Sequence, residues 1–439
     1  MNPTDFSKAI GQNVILQTKN GEWEGVGLLS PEKDVFMIKR KDGYNMAIPI
    51  NEIVQMDIQQ ETISPADNPP VEILRNKNPL PPIVILHTGG TIASRVDYRT
   101  GAVTAAFKTS DLLAMYPELA QKADLSATHL GNMWSGDMRL AHFQKIARAI
   151  SHVAHASSPP QGVIVTHGTD TMGYSAAANA FMLENLDFPV IFVGAQRSSD
   201  RGSSDAANNL GGAISFITQT TFAGVAIAMN AENDNENVGI FSATRTRKMH
   251  ASKRSAFKTI GADLLAKINP ATGQLIEQHL PPHAGSQKFS LRDRLEEKTG
   301  LQYVYPGLRP EHIAFYREHH YRGLVLVGTG LGHLPVHTLD EESKLNEQNL
   351  NEIKKLAQSG CVIVMTTQCL HGRVNLNVYS YGRDLQAAGV IGGEDLLPET
   401  AFVKLAWLLG QFSADEAKKK MTQNLRGEIT ERSTVDFEE

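Results

Sequence analysis

The chain has 439 residues, of which 41% are hydrophobic and 20% charged, and its formal net charge at pH 7 is −5. This length exceeds one hydrophobic core, and the composition is that of a soluble globular protein with two or three domains. The acidic balance argues against sequence-independent binding of nucleic acid by this chain alone. Two cysteines provide no disulfide framework, and the sequence has neither a membrane-spanning apolar run nor a signal peptide, so we expect a cytoplasmic protein without a membrane partner.

Residues 1–60 are predicted to form a small β-barrel of the SH3-like or Sm-like kind. Short runs of alternating apolar and polar residues follow one another, and turn residues such as Asn20-Gly21 and Asp42-Gly43 separate them. Barrels of this kind bind RNA in some proteins and serve as docking modules in others, and we favour docking. Residues 61–82 carry six prolines among many polar residues and are predicted to be a linker.

Residues 83–300 and 301–439 are predicted to be two consecutive α/β domains built on parallel sheets. In the first domain, strands are expected at 83–86, 162–166, 190–194 and 223–229, with helices at 138–155, 173–185 and 205–218. In the second domain, strands are expected at 323–328 and 362–366, with helices at 347–358, 398–410 and 414–423. The section 231–302 is rich in charge and is expected to be poor in strands.

The stretch from 82 to 93 has the sequence PIVILHTGGTIA. Its buried strand is followed by Gly89 and Gly90, which lack a Cβ and allow the backbone to turn sharply and approach a ligand closely. This turn would present the hydroxyl of Thr91 at the carboxyl end of a parallel strand, where open α/β sheets bind their ligands.

A second stretch, GVIVTHGTDTM at 162–172, repeats this design. Its strand ends in a turn that carries Thr169 and Asp170, and the helix predicted after the turn would direct free backbone N–H groups at the same place. On neighbouring parallel strands, the two threonines and the carboxylate would surround one small polar substrate.

TGGTIA at 88–93 and HGTDTM at 167–172 resemble the two signature motifs of the L-asparaginase/glutaminase family. The resemblance extends over roughly 83–430, with shorter blocks such as WSGDM at 134–138, GAQR at 194–197, TRKMH at 246–250 and GVIGG at 389–393. It implies an asparaginase-like fold of two α/β domains and the hydrolysis of an amide side chain.

The resemblance also implies catalytic roles. Thr91 is the best candidate for the nucleophile, although which threonine forms the acyl bond stays open. Thr169, Asp170 and Lys248 match the second catalytic set of the family, in which the lysine amine accepts a hydroxyl proton. A lysine acts as a base at neutral pH where its charged form is disfavoured. Cationic neighbours such as Arg245 could therefore help, whereas Asp170 opposes them.

The substrate is expected to place its α-ammonium on Asp170 and its α-carboxylate on Ser135, as in the family. Further contacts are expected at Gly90, Gly168 and Gln196.

The sequence departs from the family pattern at two of its expected substrate contacts. Many relatives carry a substrate-binding glutamine where this chain has Gly136, which leaves room for a longer amide, glutamine rather than asparagine. Tyr98 is the candidate for the mobile-loop tyrosine of the family, although strict counting places Ala102 at that position. No metal site is expected, because the histidines form no HExxH pattern.

The β-barrel, the linker and the block SYGRDLQAAGVIGGEDLLPETA at 380–401 resemble the glutaminase subunits of archaeal tRNA-dependent amidotransferases. The resemblance implies that the chain hydrolyses glutamine and passes ammonia to a companion subunit, which binds Glu-tRNA(Gln). It also implies a homodimer core within a heterotetramer. No cofactor is expected in this chain, and ATP and Mg are expected in the partner subunit.

Two alternatives stay open at this point. A free-standing cytoplasmic L-asparaginase would share every catalytic residue, so only the N-terminal extension and Gly136 distinguish it. A non-enzymatic RNA-binding adaptor on an inactive hydrolase domain is the other, and the intact set of Thr91, Thr169, Asp170 and Lys248 argues against it.

Overall fold

In a computed structural model, the described part of the chain contains three large β-sheets, of five, eight and four strands. The structure describes residues 6, 8–9, 12–28, 30, 34–40, 45–59, 80–90, 95–96, 103–104, 117–197, 204–281 and 287–433. None of the helices in these ranges is long and apolar enough to cross a membrane.

The N-terminal module is an antiparallel sheet whose five strands lie in the order β4-β3-β2-β1-β5. These strands are β1 (Asn13–Thr18), β2 (Gly21–Leu28), β3 (Val35–Lys39), β4 (Asn45–Pro49) and β5 (Ile53–Gln59). Strand β1 alternates because Val14 and Leu16 enter a small core that Phe36 and Ile38 complete. The predicted β module is confirmed. Of the predicted linker, only residues 80–82 fall within the described ranges.

Within the described ranges, the first α/β domain contains one large sheet and three two-stranded ones. Strands β6 to β19 are, in chain order, Pro82–His87, Arg95–Val96, Val103–Thr104, Asp124–His129, Gly162–Thr166, Leu183–Glu184, Pro189–Val193, Gly224–Asn230, Val238–Ser242, Thr246–Lys248, Phe257–Thr259, Ala266–Ile268, Leu275–Gln278 and Ser290–Leu291. The large sheet has the order β18-β17-β14-β13-β12-β10-β6-β9. The neighbouring strands β9, β6, β10, β12 and β13 pair in parallel, whereas the pairs β13–β14, β14–β17 and β17–β18 are antiparallel. The sheet is therefore mixed rather than purely parallel.

The second α/β domain is a parallel sheet in the order β20-β21-β22-β23. Its strands are β20 (Thr299–Tyr303), β21 (Gly323–Gly328), β22 (Val362–Thr367) and β23 (Val390–Gly392). The α-helices of the two domains are α1 (Leu140–Ala154), α2 (Met172–Met182), α3 (Ala206–Gln219), α4 (Pro310–Glu318), α5 (Asn346–Gln358), α6 (Ser380–Ala387), α7 (Pro398–Gln411) and α8 (Ala414–Met421). The predicted α/β character is confirmed, and the domain limits stay predictions.

Two sequence expectations were wrong. The section 231–302 contains β14 to β19, which the sequence does not reveal because each is two to five residues long and several, such as β18, are largely exposed. The helix expected at 173–185 ends at Met182, since Leu183 and Glu184 pair with β19 and Asn185 takes a positive φ of 55°.

Helix α7 connects the two domains. It packs against α2 on one side and against the second sheet on the other. The ring of Trp407 stacks on Phe181 of α2 with 5.7 Å between the centroids, and its indole N–H donates to the carbonyl of Arg292. One apolar core therefore continues from the first domain into the second.

A fully buried ion pair fixes the segment that follows α8. The Lys404 ammonium on α7 lies 2.6 Å from the Glu428 carboxylate, and neither side chain reaches solvent. Lys404 also donates to the carbonyls of Met421 and Gln423, while Glu428 accepts from the backbone N–H groups of Leu425 and Arg426. Every polar atom of the pair thus has a partner, as a buried charge requires.

We predict that Lys404→Met lowers the free energy of unfolding by about 3–5 kcal/mol, because it leaves the Glu428 carboxylate buried without its cation. Urea denaturation would measure this loss. The control is Arg322→Met, which removes a half-exposed partner of Glu296 and should cost less than about 1 kcal/mol. Equal losses in both variants would contradict the prediction.

Candidate active site

The two strands that end in the signature turns are neighbours. Strand β10 pairs with β6 in parallel, with Thr166 opposite His87 at their carboxyl ends. Beyond the last strand residue, Thr88 donates from both its backbone N–H (3.2 Å) and its hydroxyl (2.8 Å) to the carbonyl of Thr166. The hydrogen bonds of Thr88 thus join the two turns, as the sequence pattern predicts for neighbouring strands.

The glycine pair in the first turn permits an unusually close approach of two backbones. Gly89 and Gly90 take φ values of 106° and 87°, which disfavour any residue with a side chain. A Cβ on Gly90 would lie 2.5 Å from the backbone nitrogen of Gly168 in the second turn. The turn predicted from the sequence is present, and it places Gly90 directly against Gly168. Thr91 and Tyr98 lie outside the described residues, so their roles stay predictions.

Lys248 lies at the second turn, as the family resemblance implies. Its ammonium donates to the hydroxyl of Thr169 at 2.9 Å and to the carboxylate of Asp170 at 2.8 Å. The lysine side chain is 15% exposed and that of Asp170 is 58% exposed. An amine, a hydroxyl and a carboxylate therefore meet at the second turn, and the carboxylate faces solvent.

The local structure around Lys248 is a short β-ladder. Lys248 is the last residue of β15, where it pairs with Phe257 of β16. The next residue, Met249, donates its backbone N–H to the carbonyl of Ala256. Gly173 at the start of α2 lies so close that a Cβ there would be 3.2 Å from the carbonyl of Thr246. The ladder is thus packed onto the helix that follows the second turn.

Two cationic neighbours of Lys248 form ion pairs with the second domain. Arg245 forms a 3.0 Å ion pair with Asp395, and Arg247 forms a 3.1 Å ion pair with Glu399. Each guanidinium charge is therefore balanced by a carboxylate of the second domain. The sequence analysis leaves open whether Arg245 helps Lys248 to act as a base, and it does not reveal the distant partner Asp395.

Ser135 lies next to the second turn. It is buried in a short 3₁₀ turn, Ser135–Asp137, and a Cβ on Gly168 would lie 2.6 Å from its hydroxyl oxygen. The hydroxyl of Thr171 donates to the carbonyl of Ser135 at 2.7 Å. Ser135 and Gly168, two predicted substrate contacts, are therefore in contact, and the hydrogen bond from Thr171 holds Ser135 in position.

Sequence reasoning did not identify Trp134 beside this site. Its indole is 59% exposed, and a Cβ on Gly136 would lie 3.3 Å from the indole Cδ1 and Nε1 atoms. The space left by the missing side chain of Gly136 is therefore bordered by an aromatic ring. An exposed tryptophan directly before a predicted substrate-binding serine was the available signal.

Gln196 follows strand β12, whose end also reaches the second turn. A Cβ on Gly194 would lie 2.9 Å from Cγ2 of Thr169, so the two segments are in contact. The backbone N–H groups of Gln196 and Arg197 donate to the buried carboxylate of Asp205, which the sequence analysis did not single out. The side-chain amide nitrogen of Gln196 is buried and has no hydrogen-bond partner among the described residues.

Two buried histidines, His87 and His167, lie at the carboxyl ends of β6 and β10, next to the two turns. Burial, and to a smaller degree His129, lowers the pKa of His87 to about 4. Burial also lowers the pKa of His167 to about 4, against the opposing effect of its hydrogen bond to the carbonyl of Gly168. Because a carbonyl only accepts, Nδ1 of His167 is the protonated nitrogen of a neutral ring. Both imidazoles are therefore uncharged at neutral pH.

Within the described ranges, no group of three His, Cys, Asp or Glu side chains is arranged to hold a metal ion. The chemistry that the described side chains offer is thus hydrogen bonding and proton transfer among a lysine, threonine and serine hydroxyls, and a carboxylate.

Two family models match the chain. The model described as "Asparaginase, N-terminal" matches residues 82–280, and the model described as "Glutaminase/Asparaginase C-terminal domain" matches residues 298–421. Together they span most of the chain and leave the N-terminal β module unmatched.

Curated relatives match almost the whole length. The D subunit of glutamyl-tRNA(Gln) amidotransferase from Methanococcus maripaludis is 40% identical over 428 residues, covering 96% of this chain and 98% of its own. The corresponding D subunit from Pyrococcus furiosus is 41% identical over 425 residues, covering 95% and 93%. That from Thermofilum pendens is 39% identical and covers 93% and 91%.

Solved structures of asparaginases share the fold. The thermostable L-asparaginase from Thermococcus kodakarensis superposes with a TM-score of 0.69 at 28% identity, covering 80% of this chain and 99% of its own. L-asparaginase I from Vibrio cholerae superposes with a TM-score of 0.66 at 30% identity, with the same coverage.

We predict that the protein loses stability as the pH falls from about 6.5 to 4. In that window the unfolded chain protonates His87 and His167, whereas the folded chain, with pKa values of about 4, does not. Each histidine adds up to about 1.4 kcal/mol per pH unit to the slope of unfolding free energy against pH.

Urea denaturation between pH 6.5 and 4.5 measures that slope. His167→Gln should reduce it, while the control His152→Gln should not, because His152 is exposed on α1. A slope in His167→Gln equal to that of the unchanged protein would contradict the assignment.

Proposed function

The chain belongs to the L-asparaginase/glutaminase family, and from that premise we propose that it is the glutamine-hydrolysing subunit of a glutamyl-tRNA(Gln) amidotransferase. One observation carries the choice between the two activities. The similarity to an amidotransferase D subunit spans 96% of the chain, whereas the asparaginase structures cover 80% of it and 99% of themselves. The asparaginase family model begins at residue 82, whereas the match to the amidotransferase subunit extends over nearly the whole chain and so takes in the N-terminal β module. This difference disfavours a free-standing L-asparaginase.

The proposed reaction converts glutamine and water into glutamate and ammonia. The hydroxyl oxygen of Thr91 attacks the side-chain amide carbon, the C–N bond breaks, and ammonia leaves with the proton taken from the hydroxyl. Water then attacks the resulting threonyl ester, which releases glutamate and restores the hydroxyl. In the alternative order, Thr169 forms the ester. The reaction needs no redox partner.

Lys248 is proposed to move the protons. Its nitrogen is within hydrogen-bond distance of both the Thr169 hydroxyl and the Asp170 carboxylate, so the neutral form of the amine is placed to take the hydroxyl proton. Asp170 holds the amine in place. Because Asp170 faces solvent, its second oxygen is accessible to an incoming ammonium group.

Substrate binding follows from the groups around the second turn. Asp170 is proposed to bind the α-ammonium of glutamine, and Ser135 its α-carboxylate. The close packing of Gly90 and Gly168 leaves backbone rather than side chain facing the bound amide. The side-chain amide nitrogen of Gln196 is buried and has no acceptor among the described residues, and Gln196 is proposed to contact the substrate. Tyr98 is proposed to cover the substrate.

The partners follow from the subunit names of the relatives. We propose that a companion subunit binds Glu-tRNA(Gln), receives the ammonia and uses ATP and Mg, and that this chain itself carries no cofactor. A homodimer of this chain would form the core of a heterotetramer in the cytoplasm. The N-terminal β module is proposed to dock on the companion.

We predict that Thr91→Ala and Lys248→Met abolish glutamine-dependent transamidation in the reconstituted complex, with losses of about 10²–10⁴-fold. Ammonia-dependent transamidation should persist, because it bypasses this site. Product formation on Glu-tRNA(Gln) measures both reactions, and Lys253→Met, an exposed lysine in the same basic run, is the control.

Loss of both reactions in Lys248→Met would show a structural role for the lysine. Strong ammonia release from asparagine by the isolated chain, without a companion, would favour the free-standing asparaginase instead.

We predict that Gly136→Gln shifts the substrate preference from glutamine towards asparagine. A side chain at position 136 enters the space that Trp134 borders and shortens the room for the amide arm. The ratio of kcat/KM for glutamine to that for asparagine should fall about tenfold, as expected for one methylene of substrate length. Gly136→Ala, which adds only a methyl group, should change the ratio less. An unchanged ratio in Gly136→Gln would show that position 136 does not sense substrate length.

A further inference from the structure

The second domain contacts three of the four residues that precede Lys248, namely Thr244, Arg245 and Arg247. The hydroxyl of Thr244 donates to the carbonyl of Arg426 at 3.1 Å. In return, the buried hydroxyl of Thr400 at the start of α7 donates to the carbonyl of Thr244 at 2.8 Å. Both contacts join residues more than 150 apart in the chain.

Arg245 makes the densest set of these contacts. Its Nη1 donates to the Asp395 carboxylate (3.0 Å), to the Asp395 carbonyl (3.2 Å) and to the Glu428 carbonyl (2.9 Å). Its Nε donates to the carbonyl of Ile260 at 2.9 Å. The side chains of Arg245 and Asp395 are only 3% and 5% exposed, so the pair is buried. Only a planar guanidinium satisfies all these acceptors together.

Arg247 adds a third attachment. Its Nε lies 3.1 Å from the Glu399 carboxylate, and its Nη2 donates to the hydroxyl of Tyr303 at 3.3 Å. Glu399 lies in the first turn of α7, where the helix dipole favours its negative charge. We name these contacts of Asp395, Glu399, Thr400, Arg426 and Glu428 with residues 244–247 the C-terminal clamp.

The strand that carries Lys248 depends on such contacts for its place. Among the described strands, β15 is three residues long and pairs with β16 in a separate two-stranded sheet, outside the eight-stranded one. The ladder of the large sheet therefore does not fix it. Lys248 lies three residues after Arg245, so a small rotation at Arg245 displaces the lysine nitrogen from its 2.9 Å contact with Thr169.

We propose that Arg245, as the centre of the C-terminal clamp, is a positioning residue that holds Lys248 in reach of Thr169 and Asp170. This role rests on the proposed function of Lys248 as the proton-transferring group. Arg245 touches no substrate and acts through the strand. The second domain thus contributes to the reaction by setting the place of a base that belongs to the first.

Arg373 provides a matched control for a merely structural ion pair. It pairs with Glu394 and donates to the carbonyl of Thr430, so it also holds the segment after α8. None of its hydrogen bonds or ion pairs within the described ranges reaches residues 244–248.

The experiment compares glutamine hydrolysis by Arg245→Lys and Arg373→Lys in the reconstituted complex, with the folded fraction measured by thermal unfolding. Arg245→Lys keeps the charge for Asp395 but loses several of the hydrogen bonds. Per folded molecule, we expect its kcat to fall about 10- to 100-fold while KM for glutamine changes less than about threefold. The curve of kcat against pH should also change shape, whereas a loss of folded molecules only scales it. Arg373→Lys should leave kcat, KM and the curve unchanged.

Thr400→Val supplies a second measurement in case Arg245→Lys does not fold. It preserves volume and removes one hydrogen bond of the clamp, so kcat should fall about three- to tenfold at constant KM. An unchanged kcat in Thr400→Val, or the same effect in Arg245→Lys and Arg373→Lys, overturns the positioning role. Lys248→Met separates the two levels: activity retained there overturns the proposed proton-transferring role of Lys248 together with the positioning role of Arg245. If Lys248→Met is inactive and Arg245→Lys behaves like Arg373→Lys, the positioning role alone is overturned.

Discussion

The proposed active site depends on the hydrogen bonds of one side chain, that of Lys248. Lys248 donates to Thr169 and to Asp170, and those two residues lie in a turn nearly eighty residues earlier in the chain. The parallel pairing of β6 with β10 brings the two glycine-containing turns together. Strand β15 lies outside the large sheet and packs onto the helix that follows the second turn. The second domain then holds β15 from the other side. Each layer of the fold thus serves to keep a lysine amine next to a hydroxyl and a carboxylate.

Patterns confined to a few neighbouring residues predicted the frame of the site well. The buried strands at 83–86 and 162–166 are visible as short apolar runs, and the turn at Gly89-Gly90 is visible because positive φ values strongly favour glycine. The β module at the N-terminus was predicted for the same reason, since its alternation and turn residues are local properties. Nothing beyond the neighbouring residues is needed for such predictions.

Contacts between distant segments could not be predicted in this way. Residue pattern alone gives no reason for Lys248 to meet Thr169, and only the family resemblance placed it there. The basic run around Arg245 is a set of charges that could act on the lysine, and the sequence does not reveal that Asp395 and Glu399 of the second domain pair with Arg245 and Arg247. The short strands of 231–302 were missed because a strand of three residues shows no period. Their existence depends on partners across the sheet.

The C-terminal clamp sets an order of events during biosynthesis. Arg245 and Glu428 are separated by 183 residues, so their contact forms only after residue 428 has left the ribosome. The first domain can emerge with its strands complete while the lysine strand still lacks these partners. A nascent chain therefore carries the motifs of the site long before it carries their final arrangement, and the second domain is what converts one into the other.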